Sequence, residues 1–255
     1  MVRPAVLTVS DTIANSFLLA VETRGDRPAI REKKFGVWQP TSWRQWLQIS
    51  KEIAYGLHAT GFRPGDVASI IANAVPEWVF ADMGILCAGA VSSGIYPTDS
   101  AVQVEYLVND SRTKVIFAED EEQLDKILSC RARCPTLQKI VVFDMEGLSG
   151  FSDPMVMSLA EFMALGSNHI QGREALWEEM VASRGAGDLA ILVYTSGTTG
   201  PPRAPCIPTA ASPIRCATPT ICFLPPTPKS AWCSCRSAMS PNGSAAITFR
   251  LRWDR

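Results

Sequence analysis

The sequence predicts an α/β fold, a mainly parallel β-sheet with helices flanking it, and three observations carry that expectation. Between residues 67 and 143 short apolar runs alternate with helical-period stretches. That is the pattern of βαβ units, in which each helical crossover returns the chain to the same edge of the sheet. The run 189–194 is apolar and bounded by Asp188 and Thr195, as expected of a strand buried on both faces. Helix start and stop signals stand at the seams: Gly25 and Gly61 as stops, Ser42 with Gln45 as a capping box, and Pro76 in a first helical turn.

In chain order, Ile13, Phe17, Leu18 and Val21 recur at helical spacing over 12–22, before Gly25. Residues 29–31 and 37–39 are expected as short strands around a polar turn at 33–36. Ser42 opens a helix carrying Trp46, Ile49, Ile53 and Leu57, closed by Gly61. Strands at 67–71, 90–95, 115–118 and 139–143 then alternate with helices at 76–87, 101–109 and 121–130. The stretch 147–187 is less regular, with short helices expected at 159–165 and 174–182. The acidic cluster 119–122 suits a helix N-terminus, where carboxylates meet the positive end of the dipole, better than a catalytic carboxylate group.

Composition narrows the class. Hydrophobic residues make up 47% and charged residues 19% of 255, ordinary for a globular protein, and a net charge of −1 gives no argument for nucleic acid. No apolar run approaches the roughly 18 residues of a membrane-spanning helix, although peripheral membrane contact stays open. Residues 1–10 lack the apolar core of a secretory signal, so a cytoplasmic, reducing setting is expected, with no disulfide framework from the eight Cys. The two His, His58 and His169, are far apart in the chain and have no ligand-like neighbours in sequence, so no metal site is expected. The averages conceal a break. Residues 1–200 hold 17 Lys and Arg against 24 Asp and Glu, whereas residues 201–255 hold 7 against 1, with 5 of the 8 Cys and 10 of the 18 Pro.

Directly after the run 189–194 comes Thr195-Ser196-Gly197-Thr198-Thr199-Gly200-Pro201. Its glycines permit close backbone approach, successive N–H groups can form an anion-binding nest, and four hydroxyls add donors. It lacks the spacing of a Walker A loop. On the residues alone, a polyphosphate loop and a plain Ser/Thr/Gly turn both fit.

Residues 194–200, YTSGTTG, match the signature phosphate loop of the adenylate-forming superfamily. Upstream, residues 61–100 resemble its long-chain fatty-acid–CoA ligase branch in Gly65-Asp66, Asn73, Pro76-Glu77-Trp78, Asp82 and Tyr96-Pro97-Thr98. The resemblance covers about 12–202. It implies an incomplete N-terminal domain of an adenylate-forming enzyme over 1–202. It also implies ATP and Mg²⁺ at Thr195, Ser196, Gly197, Thr198, Thr199 and Gly200, with fatty acid and CoA as the intact family's other substrates. In that family a carboxylate attacks the α-phosphate of ATP, releasing pyrophosphate, and the CoA thiol then displaces AMP. The adenine-contacting segment, the ribose-binding acid and the C-terminal catalytic Lys have no counterpart in this sequence, so no catalytic residue is assigned. Asn73, Glu77 and Asp82 suit capping or packing.

Where the family continues P-K-G, this chain reads Pro202-Arg203-Ala204-Pro205. Triplets begun at the third base of each codon, with suitable wobble bases, permit K-G-A-M-H-T-N from Pro202. The same frame permits a string containing F-L-P-L-C-H from Trp232, similar to the family's next segment. Residues 203–255 are therefore expected to be an out-of-frame, disordered tail, and the 255-residue chain a truncated, inactive ligase. A Pro-rich natural tail is the alternative. A nucleotide- or acyl-binding fragment that pairs with an intact synthetase is the alternative function. An unrelated enzyme sharing the loop finds no paired carboxylates, Ser-His-Asp arrangement or Cys-His couple to support it.

Overall fold

The computed structural model describes residues 12–173 and 175–194, and the backbone of 206–208, 234–239 and 245–250. Helix α1 (Ile13–Arg24) starts where the Thr12 side chain accepts from the Asn15 N–H and stops at Gly25, whose φ is +54°. Strands β1 (Pro28–Lys34) and β2 (Val37–Ser42) form an antiparallel hairpin beside the main sheet. Helix α2 (Trp43–Ala59) begins at the predicted Ser42/Gln45 capping box. Then come β3 (Val67–Ile71), α3 (Pro76–Cys87), β4 (Val91–Ile95), α4 (Ala101–Ser111), β5 (Val115–Ala118), α5 (Glu121–Cys130) and β6 (Lys139–Val142). The chain continues through β7 (Val156–Ser158), α6 (Leu159–His169), α7 (Leu176–Ala182) and β8 (Leu189–Val193).

The main sheet runs β7-β6-β5-β3-β4-β8, all neighbours parallel, so the predicted α/β class holds. Its central strands bury both faces, whereas β8, expected to be buried on both, is half-buried on one, and β7 is half-buried throughout. Ala68, Ile70, Val115, Phe117 and Val141 face a layer of α1, α2, α3, α6 and α7. Val67, Ile71, Ile116, Ile140 and Leu192 face α4 and α5. Period-2 alternation of side chains is what lets one strand serve two apolar layers. The edge strand β7 is absent from the sequence reading because three half-buried residues carry no periodic signal.

Helix α2 packs closely against α3 and α6 through glycines. A Cβ on Gly84 would meet Ile53 Cγ2 at 2.6 Å, and one on Gly56 would meet the Phe162 ring at 2.7 Å. A Cβ on Gly166 would run into the α2 backbone. This close seam joins His58 to His169, Nδ1 to Nε2 at 2.9 Å, although 111 residues separate them. Arg173 Nη1 lies 2.7 Å from the same His169 nitrogen. The two His, far apart in the chain, meet only through this seam.

The tail also differs from expectation. A strand β9 (Cys206–Pro208) pairs antiparallel with β8, and β10 (Ser234–Met239) pairs with β11 (Ala245–Arg250). Proline density predicts no regular structure beyond residue 203, but the prolines are unevenly placed. Pro228 and Pro241 bracket β10 and no Pro follows Pro241, so the β10–β11 ladder keeps its backbone donors, while Pro208 stands at the end of β9.

Candidate functional site

Strand β8 lies beside β4 and points its C-terminal end to the same edge of the sheet as β3, β5 and β6. In parallel α/β sheets, ligands bind outside the carboxyl ends of the strands. Tyr194, the residue just after β8, is buried, and its hydroxyl donates to Asp110 Oδ2 of α4 at 2.8 Å. Burial and the Asp110 carboxylate raise its phenol well above the ordinary range. The point where the sheet hands the chain to the loop is thereby anchored to α4. Residues 195–200, and with them Thr195, Ser196, Gly197, Thr198, Thr199 and Gly200, lie outside the described residues.

Other groups on this edge are committed to structure. Glu119 Oε2 accepts from the Asn73 N–H at 2.6 Å and from Asn73 Nδ2 at 2.8 Å, bridging the ends of β3 and β5. Lys126 Nζ is shared among Pro97 O at 2.6 Å, Gln123 Oε1 at 3.1 Å and Glu122 Oε1 at 2.9 Å. It is a local tether and is not free to hold an anion. The acidic cluster behaves as its pattern suggests: Asp120 caps α5 by accepting from the Gln123 N–H, and Glu121 and Glu122 fill the first turn. Glu77 sits likewise in the first turn of α3. The Tyr194–Asp110 and Asn73–Glu119 pairs leave no trace in the sequence, because 84 and 46 residues separate their partners.

Asp82 is half-buried on α3, with Oδ1 wholly buried and unpartnered among the described residues. Burial pushes its pKa up to about 6 against an ordinary 3.8, a rise that a bond from Ser92 partly offsets. The folded state therefore takes up the proton first. Stability should rise as pH falls through about 6 and level off near the unfolded value of about 4. We expect native stability to increase by about 2 kcal/mol from this group between roughly pH 7 and 4.5. Asp82→Asn should remove that share of the slope in urea unfolding at several pH values. An unchanged slope in the variant would refute the assignment.

Among the described residues no group of three His, Cys, Asp or Glu could hold a metal ion, and no helix is long and apolar enough to cross a membrane. Cys87, Cys130 and Cys134 are buried free thiols.

The described residues form a parallel sheet sandwiched by helices, and the sequence Thr195–Gly200 follows its strand beside β4. Residues 17–219 match the AMP-binding enzyme family, and the chain belongs to it. Among named relatives, the chain is 30% identical over 192 residues to long-chain-fatty-acid–CoA ligase ACSBG1 of Bos taurus, covering 75% of this chain and 26% of that protein. The corresponding figures for ACSBG1 of Homo sapiens are 29% identity, 79% and 27%. The chain thus spans about a quarter of the length of these relatives. In fold it resembles the anthranilate CoA ligase AuaEII in complex with anthranoyl-AMP, with TM-score 0.64 and 20% identity, covering 82% of this chain and 37% of that one. It also resembles the adenylation domain of a carboxylate reductase from Mycobacterium chelonae, with TM-score 0.62 and 22% identity, covering 80% and 36%.

Proposed function

We propose that residues 195–200 hold the β- and γ-phosphates of ATP, and that the protein belongs to a lineage converting long-chain fatty acid, ATP and CoA into acyl-CoA, AMP and pyrophosphate. The observation that carries this is the TSGTTG text directly after a strand buried in a parallel sheet, at the edge where Tyr194 is anchored. The loop offers four hydroxyls, on Thr195, Ser196, Thr198 and Thr199, and glycines whose backbone can approach an anion. That donor set fits a polyphosphate. Mg²⁺, carried with the nucleotide, would neutralise phosphate charge. The chain's own residues would position and hydrogen-bond, in the electrostatic manner of phosphoryl-handling sites.

Residues 1–202 are read as the incomplete AMP-binding unit, working in the cytoplasm, and residues 203–255 as an out-of-frame continuation. The 255-residue polypeptide by itself then carries nucleotide contacts without turnover. Aligning the α-phosphate with a carboxylate needs adenine and ribose contacts as well as the loop, and a misplacement of about an ångström costs about a hundredfold. The test is thioester formation from fatty acid, ATP and CoA. The 255-residue chain should give no more than a variant lacking 195–200, whereas the frame-restored, longer protein should turn over. Clear turnover by the 255-residue chain would overturn this. The DNA sequence across codons 195–210 should contain one gained or lost base, and an uninterrupted family-like frame would refute the out-of-frame reading. The alternative, a fragment that pairs with an intact synthetase, is favoured by the two closed core layers of 12–194. It predicts a monodisperse chain that binds ATP and co-purifies with the synthetase.

A further inference from the structure

The hairpin of β1 and β2 ends in three exposed apolar side chains. Phe35 is 104% exposed, Val37 60% and Trp38 59%, within four consecutive positions. Of the other exposed large hydrophobics, Val102 and Tyr106 lie one turn apart on α4, and Phe151 and Leu165 stand singly. Phe35 and Gly36 form the two-residue turn with φ of +51° and +82°. Both positions of such a turn favour Asn-Gly, and a bulky side chain at the first is strained. A strained backbone holding a fully exposed ring has no folding rationale.

The ladder pairs Lys33 with Trp38 and Arg31 with Pro40, so these four side chains share one face, and all four are exposed. Neither Arg31 nor Lys33 enters an ion pair among the described residues, whereas Lys34, on the other face, is joined to Glu32 at 3.0 Å. The outward face therefore combines an aromatic tip with two uncommitted cations. Three side chains are too small for a stable protein interface, which buries about 800 Å² per partner. They suit a membrane interface, where Trp and Phe sit at headgroup depth and cations meet anionic lipid.

We infer that the β1–β2 hairpin is a membrane-docking finger: Phe35 at the tip and Trp38 insert into the interface of an anionic bilayer while Arg31 and Lys33, on the Trp38 face, contact lipid headgroups. The test is co-sedimentation of the full 255-residue chain with phosphatidylcholine vesicles, with and without phosphatidylserine. Wild type should partition onto the anionic vesicles preferentially. Phe35→Asn relieves the turn, so it should unfold at the same or a higher temperature while binding vesicles about tenfold or more weakly. Lys33→Glu with Arg31→Glu should abolish the preference for phosphatidylserine. Leu165→Ala, an exposed apolar change on α6, should bind as wild type does. Failure of wild type to bind anionic vesicles, or undiminished binding by Phe35→Asn, would overturn the inference. A finger that captures a protein partner would give the first pattern.

Discussion

Gly166→Ala is expected to destabilise the protein by about 3 kcal/mol, lowering its melting temperature by roughly 6–12 °C. Gly166 lies mid-way along α6, where alanine would ordinarily favour a helix. Here the added methyl would strike the Glu52 carbonyl oxygen, lie 2.6 Å from the Gly56 nitrogen and 3.1 Å from the Tyr55 carbonyl carbon. All three are backbone atoms of α2, so no side-chain rotation relieves the clash and the two helices must separate. Separation would loosen the contact that buries Phe162, Ile53 and Leu57, each fully inaccessible to water. It would also part His58 from His169. Thermal unfolding followed by far-UV circular dichroism checks this. A melting temperature within a degree or two of wild type, or above it, would show that the seam is looser than the geometry requires.

Phe117→Ala should cost about 3–5 kcal/mol. Phe117 sits on β5 in the middle of the sheet and is fully buried. Its ring meets Phe162 of α6 edge-on, with centroids 5.6 Å apart at 87°, and Phe143 at 6.1 Å. Truncation loses the transfer energy of the ring, opens a cavity between sheet and helix layer, and removes an edge-to-face pair worth about 1 kcal/mol. A second measurement isolates the mechanism. Gly56→Ala forces its methyl against the Phe162 ring at 2.7 Å and the Phe162 carbonyl oxygen at 2.9 Å, and the Phe117 cavity gives the ring, but not the carbonyl, somewhere to move. Gly56→Ala should therefore cost less in the Phe117→Ala background than in wild type, by about 1 kcal/mol. Strict additivity in urea unfolding would mean that Phe162 does not transmit the strain.

Much of this protein could be read from its sequence, and the legible parts share a cause: they depend on residues close together in the chain. Periodicity placed strands at 67–71, 90–95, 115–118, 139–143 and 189–194, each within a residue of the observed element, because a buried strand imposes its apolar pattern locally. Ser42 with Gln45, Pro76 and Gly25 marked helix ends because a cap is satisfied within one turn. The TSGTTG text pointed to its family for the same reason, since consecutive residues make one loop. Tertiary structure alone decided the rest. By propensity alone Gly56, Gly84 and Gly166 would be weak helix positions, and only the fold brings another helix's atoms to each. His58 and His169, Tyr194 and Asp110, and Asn73 and Glu119 became pairs only through the packing of distant elements. Asp82 acquired its raised pKa from burial against β4, which no spacing in the sequence encodes. Phe35 reads in sequence as one residue of a polar turn, and only the closed hairpin leaves its ring with nothing to cover it. Local chemistry writes itself into short stretches of sequence, whereas desolvation and contact depend on which surfaces meet, and that is set by the whole chain.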